Sequence, residues 1–158
     1  MTVVVGCGNL FCADDGAGVL AVRQVPETEG VRVIEAGCPG LGLLDLLAGA
    51  RRAVLVDAVL SGAPPGTLHR FGPGALPVRE SLPLSLHGVN LIDALALGRL
   101  VAPETMPPEI IILGIEIADR TPGGGLSPAV AVALPQLVAG IQRELEQPRG
   151  HVSRHALR

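Results

Sequence analysis

Short unbroken runs of β-branched and aliphatic residues alternate along this chain with segments whose apolar positions recur at helical spacing. Val3-Val4-Val5 is the first such run and reads as a strand buried on both faces. The pattern then predicts a helix over 15–24 closed by Pro26, a strand over 31–36, and a turn at Gly37-Cys38-Pro39-Gly40. A short helix over 41–48 carries Leu43, Leu44, Leu46 and Leu47, and 53–57 is another buried strand. An amphipathic edge strand over 67–71 follows the turn at 62–66, and a Gly/Pro-rich loop covers 72–86. A helix over 87–101, an Ile-rich strand over 109–114 and a glycine-rich loop over 118–126 come next. Ser127 is placed to cap a last helix running to Glu146, with Pro128 in its first turn, where the missing N–H costs nothing. Pro135 predicts a kink within it. Residues 148–158 lack periodicity and read as a flexible tail, leaving one domain over 1–147.

Strands alternating with helices specify an α/β domain with a largely parallel sheet covered on both sides. Ligands of such domains bind outside the carboxyl ends of the strands, so the residues after each strand are the ones to search. Composition narrows the partners. The chain has 158 residues, 48% of them hydrophobic, which is incompatible with disorder. Two Phe with no Trp or Tyr, and a net charge of −3, exclude an aromatic, basic nucleic-acid surface. Three cysteines form neither a CxxC pair nor an even framework, which points to a reducing compartment. No charged, apolar leader opens the chain and no run reaches membrane-spanning length, so a soluble cytoplasmic protein with no membrane partner is expected.

The first strand runs into Gly6-Cys7-Gly8-Asn9, and Asp14-Asp15-Gly16-Ala17-Gly18 follows where a helix begins. A dinucleotide fingerprint fails here, because Phe11 stands at the third glycine position and two carboxylates would repel a pyrophosphate. A nucleotide enzyme is therefore the weakest functional reading. Asp14 is explained as an N-cap; Asp15 suits a cation or a polar substrate. Asp57 ends a buried run, where a carboxylate must be solvated, paired, bound to metal or used as a cap. His87 is expected to open a helix, whose positive end keeps an imidazole neutral and able to coordinate, although a surface or cap role accounts for a lone histidine as well. His69, on the edge strand, and His151 and His155, in the tail, are weaker candidates. Should Asp15, Asp57 and His87 share one sheet edge, two acids and one imidazole form an N,O set with open positions, suited to a divalent transition metal such as nickel or zinc.

These residues, in this order, resemble the hydrogenase maturation endopeptidases. The resemblance rests on Gly6-x-Gly8-Asn9 with Asp14-Asp15-Gly16-x-Gly18, on Asp57-Ala58, and on His87 before a helix with Leu91 and Leu95. Gly114 after the Ile-rich strand and Gly125-Leu126-Ser127-Pro128 complete it, so that it spans about 3–145. It implies a three-layer α/β/α sandwich around a mostly parallel, twisted sheet of about five strands. It implies an aspartyl-type processing endopeptidase that binds nickel through Asp15, Asp57 and His87, the three residues also taken as catalytic. The implied reaction removes a C-terminal extension from the precursor of a nickel–iron hydrogenase large subunit, and the nickel arrives with that substrate rather than residing in the enzyme. The enzyme is expected to act as a monomer. A non-catalytic nickel- or large-subunit-binding chaperone on the same fold is the alternative. Many family members carry an acidic residue and Gly-Gly-Thr after the second strand, implicated in substrate discrimination. This chain reads Glu35-Ala36-Gly37-Cys38 there, so Gly37, Cys38 and Asn9 are the candidates for substrate recognition. Cys38 is also a soft thiol near the implied metal, but core or turn filler is the preferred reading for it, as for Cys7 and Cys12.

Overall fold

The computed structural model describes residues 1–72 and 90–147. Five strands are present: β1 (Thr2–Cys7), β2 (Val31–Gly37), β3 (Arg52–Val59), β4 (Leu68–Phe71) and β5 (Glu109–Glu116). Four helices accompany them: α1 (Ala17–Arg23), α2 (Gly42–Leu47), α3 (Leu91–Val101) and α4 (Pro128–Glu146). Single turns of 3-10 helix at Ala13–Gly16 and Pro103–Thr105 lead into or out of the longer elements. The sheet order is β2-β1-β3-β5-β4, parallel throughout except for the edge strand β4, which runs antiparallel to β5.

The continuous apolar runs are explained by cover on both faces. Val4, Val54, Val56, Ile111 and Ile115 pack with Val22 of α1 and with Val130, Leu137 and Ile141 of α4. Their neighbours Val3, Val5, Leu55, Ile110 and Ile112 point the other way, onto Leu43 and Leu47 of α2 and Ala94 and Leu95 of α3. The result is the α/β/α sandwich of five strands implied by the resemblance. At the amino end of β3, Arg52 pins α4 to the sheet through the Glu144 carboxylate, 2.8 Å from Nη2.

Three expectations about element ends are corrected. β3 does not stop at Asp57: it continues to Val59, because β5 also runs on and pairs with it through Val59 and Glu116. Asp57 therefore sits inside the strand. α3 starts at Leu91, not at residue 87, because the Asn90 side chain accepts the Asp93 N–H at 2.9 Å and supplies the cap. His87 lies outside the described residues, as do most of the 72–86 loop and the 148–158 tail. The segment before α1 is a 3-10 turn whose N-cap position is Cys12, so Asp14 does not cap it. α4 spans Pro128–Glu146 and runs through Pro135 without interruption.

The opening glycines have a packing reason rather than a phosphate-binding one. A Cβ on Gly18 would stand 2.5 Å from the carbonyl oxygens of both Cys7 and Val56, and one on Gly6 would stand 2.4 Å from a methyl of Val22. The two glycines let α1 lie directly on the backbones of β1 and β3. Gly18→Ala must push the helix off two strands at once, with no flexible side chain to yield. It is expected to cost about 2–4 kcal/mol in urea unfolding, at the upper end for single substitutions; a loss within about 0.5 kcal/mol would show that the helix is free to shift.

Candidate active site

The strand order reverses between β1 and β3, since the chain leaves β1 for β2 on one side and returns to β3 on the other. The crevice at the carboxyl ends of these two strands is the topological switch point, where α/β domains bind ligands. The loop after β1 carries Asp15, and β3 carries Asp57.

Asp15 is held in place by its own loop. Gly8 adopts a φ of +126°, and a Cβ there would stand 1.9 Å from the Asp15 carbonyl oxygen, so the chain folds back on itself only with glycine at this position. The Asn9 backbone N–H donates to Asp15 Oδ2 at 3.1 Å. The Asn9 side-chain oxygen accepts from Phe11 N at 2.9 Å, which commits it to the loop. Asp15 remains 21% exposed, its Oδ1 facing the Arg120 guanidinium with Nε at 4.0 Å.

Asp57 accepts the Ala58 N–H on Oδ1 at 2.8 Å, and its second oxygen has no hydrogen bond to any described residue. Burial pushes its carboxyl up to about 7. The Ala58 bond opposes that rise, the charge of Asp15 adds to it, and Arg120 opposes it again. The two acids and the arginine thus form one electrostatic unit in the crevice.

Asp14 does something the sequence did not suggest. Fully buried, it accepts four hydrogen bonds from the far side of the sheet edge. Ala118 N and Asp119 N donate to Oδ2 at 3.0 Å each, Ser127 N to Oδ1 at 2.6 Å, and Ser127 Oγ to Oδ2 at 2.8 Å. Burial alone would raise this carboxyl, but the bonds from Ser127, Ala118 and Asp119 outweigh it and hold it below the usual range. The Ser127 side chain is consumed in this latch and makes no cap bond to α4. The latch fixes both ends of the 118–127 segment, and Gly123 N donating to Phe11 O at 2.8 Å fixes its middle. Arg120 is therefore presented by a tethered loop.

The β2 loop closes the other side. Gly37, at a φ of +62°, accepts from Gly8 N at 2.8 Å through its carbonyl. Cys38 follows as an exposed free thiol, raised first by partial burial and then by the charges of Asp15 and Asp57, which puts it beside the same crevice. Cys7 is a buried core thiol. At the neighbouring strand ends Glu116 is buried and receives Ser61 N, Ser61 Oγ, Gly62 N and His69 Nε2 at 2.7–3.1 Å, so His69 is engaged in holding β4 to β5. Among the described residues, no three His, Cys, Asp or Glu side chains come together as a metal-holding group. Asp15 and Asp57 lie close enough for the charge of one to act on the other, and Arg120, whose charge acts on Asp57 and whose Nε is 4.0 Å from Asp15, is the residue sequence reasoning missed. The available signal was its place after a strand at the carboxyl edge, the position already singled out for Asp15 and Asp57.

Comparison with known proteins shows the family and the fold. Residues 20–144 match the family model HycI, hydrogenase maturation protease. The chain is 34% identical over 151 residues to the hydrogenase expression/formation protein HupD of Rhodobacter capsulatus, covering 90% of this chain and 70% of that protein. The [NiFe] hydrogenase maturation protease HybD from Thermococcus kodakarensis superimposes with a TM-score of 0.72 at 28% identity, covering 92% of this chain and 99% of that one. The hydrogenase maturating endopeptidase HybD from E. coli gives a TM-score of 0.80 at 23% identity over 91% of each chain, a likeness of fold. With most of its length matched by the family model and its sheet shared with solved members, the chain belongs to the hydrogenase maturation protease family.

Proposed function

We propose that this peptidase cuts a C-terminal extension from the precursor of a nickel–iron hydrogenase large subunit, and that it recognises nickel carried by that substrate through Asp15, Asp57 and His87. The observation that supports this reading most is the pairing at the switch point. Asp15 and Asp57 each have one oxygen oriented by a backbone N–H and one oxygen free of any hydrogen bond to a described residue. Such carboxylates fit a divalent cation as oxygen donors, and an imidazole from His87 would complete an open N,O set.

In that site a substrate-borne metal supplies Lewis-acid polarisation of the scissile carbonyl or of a water. The chain's own residues do the rest. Asp15, fixed by Asn9 N, sets where the cation stands relative to the loop. Asp57, oriented by Ala58 N, would offer its second oxygen to that cation as the other carboxylate donor. Gly37 and Cys38, at the mouth of the crevice, and Asn9, which shapes the loop on the facing side, are the proposed recognition residues for the peptide.

The test is the intact mass of a nickel-loaded large-subunit precursor after incubation with the protein. Wild type is expected to shorten it, and His87→Ala to slow that by about a hundredfold or more. A precursor that is bound but keeps its mass would identify a non-catalytic module, and equal rates for His87→Ala and wild type would remove His87 from the site.

A further inference from the structure

Arg120 reaches toward Asp15, with Nε 4.0 Å from Oδ1, and its charge also acts on Asp57. Its side chain is 62% exposed, and among the described residues it is the sole cation paired with Asp15. Its backbone, by contrast, is fixed. Asp14 receives the N–H groups of Ala118 and Asp119, and the Asp119 carboxylate receives Thr121 N at 2.8 Å and Thr121 Oγ1 at 2.6 Å. A rigid loop thus delivers a long, solvent-facing, permanently charged side chain to an acidic crevice. Two carboxylates in one crevice repel each other, and a positive charge beside them offsets that repulsion.

We infer that Arg120 is the resident counter-ion of the metal-recognition site: in the resting enzyme its guanidinium balances Asp15 and Asp57, and it swings out when a divalent cation takes that place. The inference rests on the proposed metal role of Asp15 and Asp57 and adds a discrimination step to it. A free cation must compete with a tethered guanidinium that is always present. Nickel presented by a docked precursor has the binding energy of the protein interface to help displace it. Arg120 is therefore a specificity residue that disfavours loading from solution. Withdrawal needs rotation of an exposed side chain only, since the loop backbone stays latched.

The experiment is calorimetric titration of the full chain with nickel ion alone, for wild type, Arg120→Gln, Arg120→Lys and Asp57→Asn, at low and high ionic strength. Arg120→Gln is expected to bind nickel about three- to tenfold more tightly at low salt, with the gap narrowing at high salt as the charge is screened. Arg120→Lys keeps the charge and is expected to stay within about twofold of wild type. Nickel affinity that is unchanged or weaker in Arg120→Gln, while Asp57→Asn abolishes binding, overturns the role of Arg120 and leaves the metal site standing. No nickel uptake by any of the proteins removes both. Unfolding midpoints of the variants, expected to match wild type because the side chain is exposed, separate a charge effect from a folding one.

Discussion

Asp57→Asn is expected to make the protein more stable and nearly inactive. The fold holds an aspartate whose proton affinity is lifted to about 7 from 3.8, so between about pH 4 and 7 the folded chain binds more protons than the unfolded one. Stability therefore falls as pH rises through that window, and the full cost of the buried charge is present above it. At about 1.4 kcal/mol for each tenfold change in proton affinity, the ceiling is roughly 4 kcal/mol. Asparagine removes the charge and keeps the shape. Its stabilising effect should be largest near pH 8 and vanish near pH 4, read from unfolding midpoints at the two pH values. Processing should fall by about a hundredfold or more in the same variant. A gain equal at both pH values would place the aspartate in water, and undiminished processing would remove it from the chemistry.

Asp14→Ala is the expected converse, with a large loss of stability. The change strands the N–H groups of Ala118, Asp119 and Ser127 and the Ser127 hydroxyl at a place where one carboxylate satisfied all four. Each stranded buried donor costs about 1–3 kcal/mol, but the 118–127 segment can move and recover some bonds with water. A net cost of about 3–5 kcal/mol in denaturant unfolding is expected. Because its folded carboxyl lies below the usual range, the support Asp14 provides is present above the ordinary carboxylate pKa and is lost as pH falls through the folded value. The gap between wild type and Asp14→Ala should accordingly narrow under strongly acidic conditions. Limited proteolysis distinguishes the latch from a general core role, because cuts in the variant should appear first between 118 and 127. Protection of that segment in Asp14→Ala would contradict the latch.

Much of this arrangement was readable from residue order alone. Val3-Val4-Val5 and 53–57 announce strands because a continuous apolar run needs cover on both faces, and the sheet gives it to them. Asp57 was found because a charged residue at the end of such a run demands a reason, and Asp15 because it follows a second carboxylate where a helix begins after the first strand. What escaped has two physical causes. Element ends depend on neighbours: β3 extends past Asp57 only because β5 continues beside it, and Asn90 rather than residue 87 starts α3 because of a single side-chain bond. Long-range polar contacts leave no periodic trace either. Asp14 passes as an N-cap by local spacing, yet its partners lie more than a hundred residues away. Arg120 looks like one more loop residue until the fold brings it to Asp15. The glycines are a related case: residue order shows only that they make no dinucleotide fingerprint, and the fold supplies their reason, the close packing of α1 on two strands at Gly6 and Gly18.

The proposed function has Asp15, Asp57 and His87 hold one cation at the β1–β3 switch point. Anomalous diffraction at the nickel edge, from a crystal soaked in nickel ion, tests it most directly. A single strong peak is expected in that crevice with an oxygen of each aspartate and a ring nitrogen of His87 at about 2.0–2.2 Å, the range of N and O ligands to a first-row divalent metal, and with Arg120 turned out to solvent. A peak held by other residues, or one that touches only one of the two aspartates, would contradict it.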